Sequence, residues 1–97
     1  MANLYNYITL AAPTTTVVCP KPCVLNKITF NKATANGVIT IYDGATVAGG
    51  SIIGIITCPA TLLKNNFTLE YGIELKKGLT IVTSVAAQDI TVSYSLL

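Results

Sequence analysis

The stretch Phe67–Lys77, FTLEYGIELKK, changes character at nearly every step. Phe67, Leu69, Tyr71, Ile73 and Leu75 fall on one side of an extended chain, with Thr68, Glu70, Gly72, Glu74 and Lys76 on the other. A strand sends successive side chains to opposite faces, so this pattern defines a half-buried β-strand. Asp89–Leu96, DITVSYSL, repeats it, with Ile90, Val92, Tyr94 and Leu96 against Asp89, Thr91, Ser93 and Ser95. No window of ten or more residues carries an apolar stripe at the 3.6-residue spacing of a helix. Val, Ile, Thr and Tyr dominate, as pleated surfaces favour. The chain is all-β.

Outward from these two strands, turn signals recur at short intervals. Asn36-Gly37 opens a hairpin arm, Asp43-Gly44 begins a loop that ends at Gly49-Gly50, and Lys77-Gly78 and Ala86–Gln88 make tight connections. The strands expected are 4–10, 14–19, 23–31, 37–43, 51–57, 66–76, 79–85 and 89–96. Seven or eight strands in 97 residues predict a compact antiparallel two-sheet sandwich, jelly-roll-like. The length suits a single domain over 1–97. Alternation points Leu69, Tyr71, Ile73, Ile90, Val92 and Tyr94 inward and leaves Glu70 and Glu74 in solvent.

Composition excludes several functions. Charged residues are 10% of the chain, against roughly a quarter in ordinary domains. The net charge is +2, and all six basic residues are lysines, scattered apart from Lys76-Lys77. That gives no footprint for nucleic acid. Mean hydropathy is high, +0.62. Even so, the longest apolar run, Ile52–Ile56, is broken by Gly54 and is far short of the roughly 20 residues of a spanning helix. There is no basic amphipathic helix to lie on a membrane. The N-terminus, MANLYNYITL, lacks the basic start of a signal peptide, so synthesis in a cytoplasm is expected.

CPKPC, residues 19–23, is the most chemically suggestive fragment, with a third cysteine at Cys58. Its prolines favour extended backbone, which would spread Cys19 and Cys23 over about 12 Å. A disulfide needs Cα atoms within about 7 Å, so pairing would require a sharp turn. Zinc usually takes four Cys or His ligands, and the chain has three cysteines and no histidine. A rigid elbow between strands fits better than a disulfide or a metal site, and Cys58-Pro59 reads as a strand end. Glu70 and Glu74 lie about 13 Å apart on one strand. Glycosidase carboxylates sit roughly 5–9.5 Å apart. Asp43 and Asp89 occupy turn positions that Asp takes for backbone reasons. Without histidine or a placed lysine, nothing activates a serine or threonine. Asn66-Phe67-Thr68 is formally a glycosylation triplet. No enzyme, cofactor site or metal site is expected.

The excess of apolar residues points instead to partners. In Ser51–Thr57, SIIGIIT, alternation sends Ile52 and Ile56 one way and Ile53 and Ile55 the other. A two-layer sandwich covers only one face of each sheet, so one pair needs another cover. Leu4, Tyr5, Tyr7 and Ile8 add a second apolar stretch, with residues 1–13 either the first strand of the domain or an arm reaching a neighbour. Leu4, Tyr5, Tyr7, Ile8, Ile53 and Ile55 are therefore the candidate protein interface, and a homo-oligomer is expected.

Two longer stretches carry a resemblance. LNKITFNKATANGVITIYDG, residues 25–44, and GIELKKGLTIVTSVAAQDITVSYSLL, residues 72–97, resemble a group of small phage-encoded proteins. The shared pattern runs from a strand–turn–strand ending in a YDG-like turn, through a GL-x-V-like strand, to a final DITVSY-like strand. It covers about residues 25–97 and leaves CPKPC outside. The resemblance implies a virion structural role, a capsid decoration (cement) protein on the head exterior that binds the major capsid protein, as a trimer. It supplies no catalytic residue. The alternative is a tail or fibre-tip module binding a host glycan or receptor, with Tyr42, Tyr71 and Tyr94 lining a groove. An enzyme accessory domain fits less well with a chain that starts at Met1 and ends in a complete strand.

Overall fold

A computed structural model describes residues 3–8, 14–61, 66–86 and 88–97. Eight strands follow in order: β1 (Asn3–Ile8), β2 (Thr15–Cys19), β3 (Cys23–Lys32), β4 (Val38–Asp43), β5 (Ser51–Thr57), β6 (Phe67–Leu75), β7 (Leu79–Ser84) and β8 (Asp89–Leu96). Each sequence-derived strand is present, with its ends displaced by no more than one residue among the described residues; the expected end of the first strand, 9–10, lies outside them. They form two four-stranded antiparallel sheets, ordered β1-β8-β3-β6 and β2-β7-β4-β5. Strands 1 and 8, 2 and 7, 3 and 6, and 4 and 5 pair within these sheets. The chain is thus one long antiparallel hairpin rolled onto itself, with β3–β8 and β4–β7 completing the two sheets. That is the jelly-roll arrangement.

The inner faces meet in a core of Leu25, Ile28, Phe30, Ile39, Ile41, Leu75, Leu79, Ile81, Ile90 and Val92, all essentially inaccessible to solvent. Of the six residues expected inward, Ile90 and Val92 are fully buried, while Leu69, Tyr71, Ile73 and Tyr94 pack half-buried against this core. The face was right and the depth was not. β6 is an edge strand, so its inward side chains are covered from one flank only. Tyr71 reaches across to β5, where its hydroxyl would stand 3.4 Å from a Cβ at Gly54. The edges β5 and β6 therefore lie together, and β1 and β2 form the opposite edge.

Bulges correct the simple alternation at several points, β3 and β5 among them. In β3 the pairing slips between Leu25 and Lys27, so Cys23, Leu25, Ile28 and Phe30 all face inward. Gly72 sits opposite this slip on β6 with φ +62, a left-handed value that a side chain rarely adopts. On β5 the slip lies between Gly54, opposite Ile41, and Ile52, opposite Tyr42. Ile52 therefore shares the outer face with Ile55, not the inner face with Ile56, and Ile53 is the extra residue. The expected division of Ile52 and Ile56 against Ile53 and Ile55 is corrected accordingly.

Buried polar groups are paired. Gln88 is fully buried. Its Oε1 accepts from Thr34 N at 2.7 Å, and its Nε2 donates to Thr34 O at 3.1 Å. Gly37 lies against this amide with no room for a Cβ. Thr80 Oγ1 donates to Gly44 O at 2.8 Å, and Thr83 Oγ1 both accepts from Thr14 N and donates to Thr14 O. Among the described residues no buried side-chain nitrogen or oxygen lacks a partner.

Candidate functional site

The cysteines are free and buried. Cys19 ends β2 in one sheet and Cys23 begins β3 in the other, so CPKPC is the elbow that carries the chain between layers. Cys19 Sγ donates to Lys21 O at 3.3 Å across the bend. Burial pushes the Cys23 thiol up to about 12, helped by the adjacent Cys19 thiol and by Asp43. Burial also raises Cys58, which sits at the other end of the sandwich; its N–H donates to Gly37 O at 2.8 Å. A thiol held protonated is a poor nucleophile and a poor ligand. No cluster of three or more Cys, His, Asp or Glu side chains occurs among the described residues. Changing Cys19 and Cys23 to serine should therefore cost no more than about 1–2 kcal/mol and leave assembly intact. Stoichiometric zinc in the purified protein, or a large loss of thermal stability on reduction, would contradict this.

Asp43 does the backbone work expected of it, across a longer distance than its own turn. Its Oδ1 accepts from Lys77 N at 2.9 Å and its Oδ2 from Lys76 N at 3.2 Å, tying the end of β4 to the β6–β7 connection. Burial alone would raise its pKa. The backbone N–H groups of Lys77, Lys76 and Gly78, with the Lys77 ammonium, outweigh that and hold it below its ordinary 3.8. The folded state thus binds this proton less readily than the unfolded state, and stability rises with pH over the interval between the two pKa values. The contribution is present above about pH 4 and is lost as pH falls through the depressed folded value. Solvent around the carboxylate keeps it modest. Melting temperature against pH should show a shallower acid decline in Asp43→Asn than in the parent; identical acid limbs would show that the clamp contributes nothing.

The candidate interface residues fall into two separate patches. Leu4 and Tyr5, on β1, are 38% and 74% exposed. β1 pairs with β8 of its own chain, so over residues 3–8 the free-arm placement gives way to an edge strand. The side chains of Tyr7 and Ile8 lie outside the described residues. Ile53 and Ile55, on β5, are 36% and 59% exposed, and Ile52, which alternation had assigned to the inner face, is 55% exposed. β1 and β5 stand at opposite edges of the sandwich, so the six residues do not form one surface. From Gly44 to Thr61 there is no charged side chain, and β5 carries none of the lysines or prolines that usually blunt an edge.

The proposed tyrosine groove is not assembled. Tyr71 and Tyr94 point into the core from one sheet, whereas Tyr42 faces outward on the other. Burial raises the Tyr71 pKa, in keeping with a packing role. A surface hollow lined by residues 29–31 and 66–68 lies elsewhere, between the ends of β3 and β6. Sequence reading passed over Asn31, Thr29 and Thr68 there, because each is an unremarkable polar residue on a strand. Only the register Thr29↔Thr68 brings them together.

No protein-family model matches the chain, and no curated protein sequence matches it.

Proposed function

We propose that this jelly roll is a phage virion structural protein, a decoration or cement protein that sits on the head exterior as a homotrimer and clamps neighbouring copies of the major capsid protein. The observation that carries this reading is β5, a charge-free edge strand with Ile52, Ile53 and Ile55 turned to solvent. Exposed isoleucines beside unpaired strand backbone are stable in solution only when something covers them. The resemblance of residues 25–44 and 72–97 to phage proteins supports a shell as the setting. So does the recurrence of jelly rolls in viral capsid domains, although a fold alone assigns no function.

A cement protein meets several shell subunits at once. At local three-fold and quasi-three-fold positions a trimer offers the same patch to each, and repeating a weak contact raises avidity without new chemistry. A ring of three is closed by a heterologous contact, which uses two different patches on each copy. The β5 and β1 edges are two such patches. Purified heads separated from tails provide the test. The chain should be found on heads in stoichiometric, not trace, amount; its presence on tails alone would move it to a fibre role.

A further inference from the structure

The two outer faces of the sandwich differ in kind. On the β1-β8-β3-β6 sheet, pairing sets Lys27 opposite Glu70 on the outer face, with Glu74 further along β6. On the β2-β7-β4-β5 sheet the outer face is made of two full rows. One runs Val17, Thr80, Tyr42, Ile52 from edge to edge, and the next runs Thr15, Val82, Thr40, Ile55. Neither row holds a charge. Among the described residues the charged side chains lie on the other sheet's outer face, at strand ends or in connections. Thr80, inside its row, is fully buried and donates its hydroxyl to Gly44 O, so it offers a neighbour no polar group.

The face is also graded in size. Ile52 and Ile55 stand exposed along β5 as a ridge. At the far side Thr15 and Val17 are exposed but smaller, and with the half-buried Val82 they make a low floor. This grading says what covers the face. A partner cannot bring a charge, because a charge buried there finds no counter-charge. Four strands at about 4.8 Å and six residues at about 3.3 Å give a flat footprint of roughly 400 Å² before side-chain relief is counted. A stable interface takes about 800 Å² from each partner, so a contact with the ridge alone is too small. A second copy engages both halves, since it brings an uncharged floor for this ridge and a ridge for this floor. Large side chains set over small ones are how facing layers interdigitate.

We propose that the outer face of the β2-β7-β4-β5 sheet is an interface between copies of this chain, the Ile52 and Ile55 ridge of one seated on the Thr15, Val17 and Val82 floor of the next. It deepens the β5 contact of the homotrimer and rests on self-association alone, not on a place on the phage head.

Two double variants of the full chain test the contact by disulfide capture: Thr15→Cys with Ile55→Cys, and Val17→Cys with Ile52→Cys. Within one chain each pair spans three strand gaps, about 14 Å. A disulfide needs Cα atoms within about 7 Å, so only neighbouring copies can be bridged. Mild oxidation should link copies in at least one double variant and none in the parent, whose own cysteines are buried. Products ending at three chains fit a closed ring. Products ending at two uphold the ridge-on-floor contact and remove the homotrimer. No linked product from either double variant would overturn the proposal. Val17→Lys, at a position exposed in the single chain, should raise the concentration needed for association at least about tenfold, with a native circular-dichroism spectrum. Thr68→Lys, on the exposed side of β6, should leave association unchanged. Equal effects of the two lysines, or a parent that is monomeric at every concentration, would also overturn the proposal. Absence of the chain from phage heads would end the capsid reading and leave this contact standing.

Discussion

Replacing Phe30 by alanine should lower the unfolding free energy by about 3–5 kcal/mol, a large share of the roughly 5–15 kcal/mol that holds a domain of this kind together. Phe30 is fully buried and packs against Phe67 across the β3–β6 pair, so truncation loses both transfer free energy and a stacked contact. The cavity left behind is walled by strands that cannot collapse into it. Val92→Ala and Ile73→Ala should fall lower, on the order of 1–4 kcal/mol, with Val92 the costlier per methyl because Ile73 is only half-buried. Glu70→Ala and Glu74→Ala, on the exposed side of β6, should be nearly neutral. Chemical denaturation of the five variants orders them. If the glutamate changes proved costlier than the core changes, the register of β6 would be off by one.

The second large effect is on assembly. If β5 closes the proposed homotrimer, Ile53→Lys and Ile55→Lys should leave a monomer of 10.2 kDa by light scattering, with thermal stability close to that of the parent. Both side chains are exposed in the single chain, so a lysine there remains hydrated in the monomer and costs the fold little. In an oligomer covering β5, the same ammonium must be desolvated without a carboxylate in the Gly44–Thr61 stretch to receive it, a penalty of several kcal/mol. Lysine on an edge strand is also the usual device against strand pairing. A parent protein that is already a stable monomer, or variants that stay assembled, would remove β5 from the interface.

The fold was legible because its signal is local. Residues 67–75 and 89–96 alternate over enough positions to fix both strand and face, and turn residues bound every other strand. What the sequence could not show is set by partners across space. The bulge at Ile53 depends on how β5 meets Ile41 and Tyr42, so plain alternation put Ile52 on the wrong face. The half-burial of Leu69, Tyr71 and Ile73 follows from the edge position of β6, and strand order is not written in any one strand. Candidate sites were less legible still. Leu4 and Ile55 read alike as spare apolar residues, yet they stand at opposite edges. The hollow at residues 29–31 and 66–68 joins segments more than thirty residues apart in sequence, and Asn31 is held from a third strand. Asp43, read as a residue of its own turn, ends β4 and clamps the connection at Lys76-Lys77.

A cryo-electron map of the phage particle tests the capsid reading most directly. It should show three copies of this jelly roll around local three-fold and quasi-three-fold positions on the outside of the head, with β5 inside a contact between copies or against the shell. A head whose exterior lacks the jelly roll, or a particle that carries it only at the tail tip, would contradict the reading.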